Sequence, residues 1–91
     1  MDIVNQYFHD KREGFFVPEM VCADGFKMSV QASRGHYCSP RNEVGPYVSV
    51  EVYPDEGELL FEELSGNSGV YGLVPVTTVA AVIEKHGGLV T

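Results

Sequence analysis

Basic residues are scarce in this chain, and their placement is uneven. The 91 residues include six Lys and Arg against 13 Asp and Glu, which gives a net charge of −7. No Lys or Arg lies between Asn42 and Glu84, a stretch rich in carboxylates. An acidic surface repels nucleic acid and attracts basic protein surfaces. We therefore expect no direct binding of nucleic acid, and the acids either keep the protein soluble or form a functional surface.

A long apolar run and a recognisable targeting signal are also missing. The N-terminus, MDIVNQYFHDKR, mixes charges with apolar residues, whereas a secretory signal has a basic start and an uninterrupted apolar run. Residues 72–83 form the longest weakly polar stretch, which is shorter than the roughly 18 residues that indicate a membrane span. Two cysteines without such a signal are expected to be free thiols. We predict a soluble, cytoplasmic protein with no membrane partner.

Cysteine pairs of the kind that hold structural zinc do not occur. Cys22, His36 and Cys38 are plausible soft ligands, with His9 or His86 as a distant fourth, but there is no C-x-x-C spacing. The dispersed glycines match neither a phosphate loop nor a dinucleotide-binding fingerprint. We expect no metal and no cofactor.

Catalytic candidates are weak. Cys38 lies near His36, with Arg34 and Arg41 to lower a thiol pKa. Residues at i and i+2 of an extended chain point to opposite sides, so His36 is not expected to reach the sulfur, and Cys38 is better explained as packed beneath a loop. A run of carboxylates shows no sign of the burial that would separate their pKa values. Its members are Asp55, Glu56, Glu58, Glu62 and Glu63. We predict that the protein is not an enzyme.

Alternating apolar residues predict three strands and a fourth short one. Residues 20–31 form a hairpin that turns at Asp24–Gly25, where a two-residue turn needs positive φ at both positions. Residues 47–53 form a strand, and residues 69–75 a further short one that Pro75 closes. In the strand at 47–53 the pattern places one set of side chains inward and one outward. The inward set is Val48, Val50 and Val52, and the outward set is Tyr47, Ser49, Glu51 and Tyr53.

Helical spacing occurs in three places, and the order of elements is α-β-β-β-α-β-α. Residues 3–12 predict a short N-terminal helix, with an apolar side of Ile3, Val4, Tyr7 and Phe8. A second helix carries Leu60, Phe61 and Leu64 before Gly66, and the last carries Val76, Val79, Ala80, Val82 and Ile83 before Gly87. We predict one α+β domain over residues 1–91, with an extension at 1–19 and a core at 20–88. One antiparallel sheet of three or four strands has two helices on one face.

The connection SRGHYCSPRNEVGP, residues 33–46, is too long for a tight hairpin turn. It contains Tyr37, Arg34 and Arg41, residue types enriched among interface hot spots, and its glycines and prolines limit its freedom. A loop that is long only because it crosses the sheet is the alternative explanation. We favour a binding role for this loop.

Three stretches resemble a family of small uncharacterised bacteriophage proteins: GFKMSVQASRGHYCSPR, GPYVSVEVYP and VYGLVPVTTVAAVIEKHGG. The resemblance covers about residues 25 to 88 and leaves out residues 1–19. It implies a phage-encoded intracellular protein and assigns no catalytic residue. Small acidic phage proteins often block a host machine, and anti-CRISPR proteins are similar to this chain in size and charge, an analogy of class alone.

These observations predict an inhibitor that binds a host nucleic-acid-handling or defence complex through protein contacts. In this hypothesis an acidic surface mimics a nucleic-acid backbone against a basic groove. The surface comprises Glu43, Glu51, Asp55, Glu56, Glu58, Glu62 and Glu63, and the loop adds Arg34, His36, Tyr37 and Arg41. A homodimer formed through strand edges is one alternative. Another is a binder of a small anion such as a nucleotide, held by Arg34 and Arg41 with Tyr37 or Tyr47 stacking.

Overall fold

The helices and strands follow one another along the chain in the predicted order, α-β-β-β-α-β-α. A computed structural model describes residues 2–62, 64 and 69–90. Its elements are α1 Ile3–Lys11, β1 Met20–Val21, β2 Lys27–Gln31, β3 Ser49–Pro54, α2 Leu59–Glu62, β4 Tyr71–Pro75 and α3 Val76–Lys85. The strands form one antiparallel sheet in the order β1-β2-β3-β4. The predicted α+β class with one small antiparallel sheet is confirmed.

The core lies between one face of the sheet and the helices. The sheet contributes Met28, Val30, Val50, Val52 and Val74, and the helices contribute Val4, Tyr7, Phe8, Phe61, Val79, Val82 and Ile83. Each such side chain stabilises the fold by about 1.5–3 kcal/mol when fully buried. Because side chains alternate along a strand, the other face of the sheet is left free of this packing.

The predicted hairpin at residues 20–31 is confirmed, but its turn is longer than expected. The Gly25 amide donates to the Cys22 carbonyl at 2.9 Å, and the Cys22 amide donates to the Phe26 carbonyl at 2.8 Å. Gly25 has a φ of 93°, whereas Asp24 is not in the positive region. The loop thus has three residues with glycine in the left-handed position, a geometry that needs only one positive φ.

Helix α1 is capped by Asp2, whose carboxylate accepts a hydrogen bond from the Asn5 amide at 2.9 Å. The Asn5 side chain is buried and pairs with the backbone of Tyr47, accepting from its amide at 2.6 Å and donating to its carbonyl at 2.9 Å. Val4, Tyr7 and Phe8 are buried as predicted, whereas Ile3 in the first turn is exposed. The helix is thereby fixed to the segment that enters β3.

The predicted alternation of residues 47–53 is wrong at its start. Tyr47 is 3% exposed and Val48 is 70% exposed, the reverse of the expectation, and Ser49 is buried. The reason is that β3 begins only at Ser49, so Tyr47 does not follow the strand's alternation. The Tyr47 hydroxyl donates to the Asn42 carbonyl at 2.6 Å and accepts from Arg12 Nη2 at 2.7 Å. Burial also removes Tyr47 as a stacking platform for a ligand.

Helix α3 buries the apolar residues that its spacing predicts, whereas α2 does so only in part. In α2 only Phe61 is buried, Leu60 is exposed, and the expected end at Gly66 lies outside the described residues. In α3 the apolar stripe is confirmed, with three residues buried and Val76 and Ala80 half-buried. The chain turns away from α3 at Gly87, whose φ is 90°. Among the described residues, no helix has the length and apolar character needed to cross a membrane.

Candidate protein-binding surface

Buried polar groups anchor the 33–46 loop. Ser33 and His36 are both buried, and Ser33 Oγ lies 2.6 Å from His36 Nδ1. The Cys38 thiol donates to the Ser33 carbonyl at 3.2 Å. His36 was predicted to contact a partner, but it is buried because its ring is bonded to Ser33 and packs beside Phe16, with ring centroids 5.5 Å apart. Cys38 is packed beneath the loop, as expected.

Tyr37 and Arg41 point outward from the same loop. Tyr37 is 61% exposed, yet its backbone is held at both ends. Its amide donates to the Glu51 carboxylate at 3.1 Å, and its carbonyl accepts from the Leu73 amide at 3.0 Å. The Arg41 guanidinium lies 4.9 Å from the centre of the Tyr37 ring, within the range of a cation–π contact. A β-carbon on Gly72 would lie 3.0 Å from that of Tyr37, so the close approach favours glycine there.

Leu73, which bonds to Tyr37, has an unusual backbone conformation. Its φ is 52°, in the left-handed region that a bulky L-residue rarely adopts. Val50 pairs with Val74 and Val52 pairs with Tyr71, so β4 has one extra residue at this point, a β-bulge. The left-handed conformation costs about 1–2 kcal/mol. The Leu73 side chain is nevertheless 57% exposed, so its own burial does not offset that cost.

Tyr53 extends this region along β3. It lies two residues after Glu51, so both side chains occupy the sheet face that does not pack on the helices. Tyr53 is 61% exposed. We call this set the Tyr37 surface; it consists of Tyr37, Arg41, Glu51, Tyr53 and Leu73.

Acidic residues continue from the end of β3. Asp55, Glu56 and Glu62 are exposed and line a cavity of about 430 Å³, together with Phe61 and Tyr71. A β-carbon on Gly69, which also lines the cavity, would lie 3.8 Å from the Tyr53 ring. Asp55 lies four positions after Glu51, about 13 Å at the rise of a strand. The acids and the Tyr37 surface are therefore neighbours. The predicted Glu63 lies outside the described residues.

Glu58 does not belong to the exposed acidic surface to which the sequence assigned it. It is only 2% exposed. Its two oxygens lie 2.6 Å from His86 Nε2 and 2.9 Å from Lys85 Nζ, and the Leu60 amide donates to it at 2.9 Å. Burial alone raises the pKa of a carboxyl, but these bonds outweigh it and lower the pKa of Glu58 to about 2. Glu58 is thus a buried, ionised group that joins α2 to the end of α3.

His86 lies between two carboxylates. Its Nδ1 is 2.6 Å from the Asp24 carboxylate and its Nε2 contacts Glu58, while the Phe26 ring stacks on it at 4.2 Å. Burial favours the neutral ring, but hydrogen bonds to the two carboxylates raise the pKa of His86 above 6.5. The His86 ring therefore connects the hairpin turn, α2 and α3. The sequence analysis named His86 only as a distant metal-ligand candidate, because no local signal identifies partners 28 and 62 residues away.

The two remaining loop residues, Arg34 and Glu43, form an ion pair with each other. The Arg34 guanidinium also lies 5.3 Å from the centre of the Phe15 ring. The alternative hypothesis of a small-anion site needs Arg34 and Arg41 to act together, but each is engaged with a different neighbour. The predicted contact residues that the structure describes therefore divide into an outward group around Tyr37, the exposed acids Asp55, Glu56 and Glu62, the Arg34–Glu43 pair, and the buried His36 and Glu58.

Among residues 2–62, 64 and 69–90, no group of three or more His, Cys, Asp and Glu side chains is placed to hold a metal ion. Cys22 and Cys38 are both buried free thiols. Comparison with protein-family models, with curated proteins and with solved structures finds no match to this chain.

Proposed function

We propose that this protein is a non-enzymatic binding protein that places its Tyr37 surface against a basic region of a partner protein. The observation that carries the proposal is the conformation of Leu73. A left-handed leucine with an exposed side chain costs free energy, and such strain is retained mainly at functional sites. Its amide holds the carbonyl of Tyr37, so the strain keeps an exposed tyrosine in place.

The composition of the surface supports a protein partner. Tyrosine and arginine are the residue types that dominate binding energy at interfaces. Tyr37 and Tyr53 are both exposed, and Arg41 lies over the Tyr37 ring. Because the backbone of Tyr37 is already fixed by two hydrogen bonds, little conformational entropy is lost when a partner binds.

The charge beside the surface supports a basic partner. Asp55 and Glu56, which follow β3, and Glu62, at the end of α2, are exposed, and Glu51 lies within the surface itself. Carboxylates steer a basic surface toward this side of the molecule and disfavour acidic ones. In its specific form, the proposal is that the protein inhibits a host nucleic-acid-handling or defence complex by occupying a basic groove. That form is supported by the exposed carboxylates beside the Tyr37 surface.

Affinity capture tests the proposal. Tagged protein is incubated with nuclease-treated bacterial lysate, and the bound proteins are quantified for wild type, Tyr37→Ala and Tyr53→Ala. Val90→Ala is the matched control, because Val90 is an exposed apolar residue outside the surface. We expect a nucleic-acid-binding complex to be retained at low salt and lost at high salt. Each tyrosine variant should weaken its binding by about 30-fold, the size of a hot-spot effect.

Two results would contradict the proposal. Equal capture by wild type and both tyrosine variants would exclude the Tyr37 surface as the contact. Failure of the wild type to retain any protein above background would exclude a stable host partner under these conditions and favour self-association. The inhibitory form is tested separately, by adding the purified protein to the captured complex and measuring its nucleic-acid binding or cleavage.

A further inference from the structure

The His86 ring contacts a carboxylate at each of its two nitrogens. Nδ1 lies 2.6 Å from Asp24 Oδ2, and Nε2 lies 2.6 Å from Glu58 Oε1. An ionised carboxylate only accepts hydrogen bonds, whereas a neutral imidazole has one donor nitrogen and one acceptor nitrogen. Both contacts are therefore hydrogen bonds only when each ring nitrogen carries a proton. When the ring is neutral, one of the two carboxylates faces a nitrogen lone pair.

The two carboxylates differ in their access to water. The Asp24 side chain is 51% exposed, and its other oxygen accepts from the Phe26 amide at 2.9 Å. Water can therefore replace the ring at Asp24. The Glu58 side chain is 1% exposed, so a donor that its Oε1 loses is not readily replaced by water. Removal of a donor from a buried carboxylate costs more free energy than removal of one from an exposed carboxylate.

The other ionisable groups around the ring do not change this order. Lys85 in α3 lies 2.9 Å from Oε2 of Glu58, and this contact leaves Oε1 to the His86 ring. Cys22 is buried near Asp24, and burial, together with the Asp24 charge, raises the pKa of its thiol above 9.0. The thiol is therefore neutral over the range in which a histidine titrates.

We propose that His86 is a pH-sensitive switch that connects the turn of the 20–31 hairpin to Glu58 only while both ring nitrogens are protonated. As the pH rises, the ring loses the Nδ1 proton. Its Nε2–H group continues to donate to Glu58, and the contact with Asp24 is lost. Burial favours the neutral ring, but the hydrogen bonds to the two carboxylates outweigh it and raise the pKa of His86 above 6.5.

The change is confined to the tip of the hairpin. Two backbone hydrogen bonds still hold the base of the turn, from the Ala23 amide to the Gly88 carbonyl at 2.9 Å and from the Asp24 amide to the His86 carbonyl at 3.3 Å. The groups released are the Asp24 side chain and the Phe26 amide that donates to it. The sheet and α3 keep their positions.

The nitrogen signals of the ring test the proposal directly. In ¹⁵N-labelled protein, the couplings between ring protons and ring nitrogens report the protonation of each nitrogen of His86 between about pH 5.5 and 9. We expect both nitrogens to be protonated at the lower end and only Nε2 at the upper end, with a midpoint above 6.5. A midpoint below 6.5, or a neutral ring protonated on Nδ1, would overturn the proposal.

Amide hydrogen exchange tests the release of the turn. The Phe26 amide donates to Asp24, and the Leu60 amide donates to Glu58, so the two amides report the two contacts separately. Because base catalysis speeds the exchange of every amide, the Phe26 rate is divided by the Leu60 rate at each pH. We expect this ratio to rise about tenfold through the His86 titration, the size of effect that loss of a hydrogen bond to a charged group produces. A constant or falling ratio would contradict release at Asp24.

A pair of histidine variants identifies the group responsible. His86→Gln has no titrating ring, so its ratio of exchange rates should not change with pH. His9→Gln is the matched control, because His9 is an exposed histidine of α1 that pairs with the neighbouring Asp10, and it should respond as the wild type does. Survival of the response in His86→Gln, or its loss in His9→Gln, would assign it to another group. The ring measurement on the wild type decides the question even if His86→Gln does not fold.

Discussion

At the scale of single residues, the pKa values of Glu58 and His86 are shifted by their hydrogen-bond partners. The pKa of Glu58 falls from 4.5 to about 2, so its stabilising contribution is complete above about pH 4.5 and is lost as the pH falls toward 2. The pKa of His86 is raised above 6.5, so its contribution is complete below pH 6.5 and is lost as the pH rises through the higher folded value. Stability from this pair is therefore greatest between about pH 4.5 and 6.5.

Glu58→Gln should destabilise the protein by about 2–3 kcal/mol near pH 5.5, because the change removes a buried charge from two cationic neighbours. His86→Gln should remove the decline in stability at alkaline pH that we expect for the wild type. Both are measured by urea unfolding at several pH values. A wild-type stability that rises steadily between about pH 6 and 9 would contradict the assigned role of His86.

The two thiols give a second prediction at this scale. Cys22 and Cys38 are buried, and the Cys38 thiol donates a hydrogen bond to the Ser33 carbonyl. Neither thiol should therefore react readily in the folded state. We expect iodoacetamide to modify both at similar slow rates in native protein and rapidly in denaturant, as mass spectrometry would measure. Selective rapid alkylation of Cys38 in native protein would instead support a catalytic role for Cys38 as a nucleophile.

At the scale of elements, the bulge in β4 is the feature that gives the candidate surface its shape. The extra residue opposite Glu51 turns the Leu73 amide toward the loop, where it meets the carbonyl of Tyr37. A regular strand would direct that amide differently and leave the loop without this contact. The loop and β4 therefore form one structural unit around Tyr37.

Leu73→Gly should separate stability from binding. Glycine adopts a positive φ without strain, which offsets its greater loss of chain entropy, so the free energy of unfolding should rise by about 0.5 kcal/mol. Partner binding should weaken, because an exposed leucine is removed from the Tyr37 surface. Urea unfolding and the capture assay provide the two readouts. A loss of more than about 1 kcal/mol would mean that the leucine side chain stabilises the fold.

At the scale of the whole molecule, the distribution of charge matters more than its total. Acids at the end of β3 lie beside the exposed tyrosines, whereas Glu58 is neutralised by the neighbours that bury it. The remaining acids elsewhere on the surface, such as Glu13, Glu19 and Glu84, contribute to solubility. A partner that recognises this protein electrostatically should therefore distinguish one side of it from the others.

Reversal of Glu56 and Glu62 to lysine should abolish binding and inhibition without unfolding the domain. Reversal of Glu13 and Glu84 changes the net charge from −7 by the same amount and is the matched control. We expect the control to lose only the long-range component of attraction, a few-fold effect that salt screens. Equal losses in the two variants would indicate general attraction rather than a defined acidic site.

Local patterns predict much of this fold because the periods of helices and strands are local properties. The order of seven elements, the hairpin at residues 20–31 and the apolar stripe of α3 all follow from spacing. Spacing does not predict that Tyr47 is buried and Val48 exposed, because the side chain of Asn5, 42 residues earlier, fixes the backbone of Tyr47. The exposed Tyr37 was identified by residue type, but its buried neighbour His36 was not distinguished from it.

The sequence by itself determined the α+β class, the order of the elements and the excess of acid after Asn42. These depend on hydrophobic period and on composition, which a linear chain already contains. Tertiary structure alone decided that Glu58 and His36 are buried and that Leu73 is left-handed. Each of these depends on contacts between distant segments, and the free energy of a buried charge or a strained residue is set by those neighbours rather than by its own position in the chain.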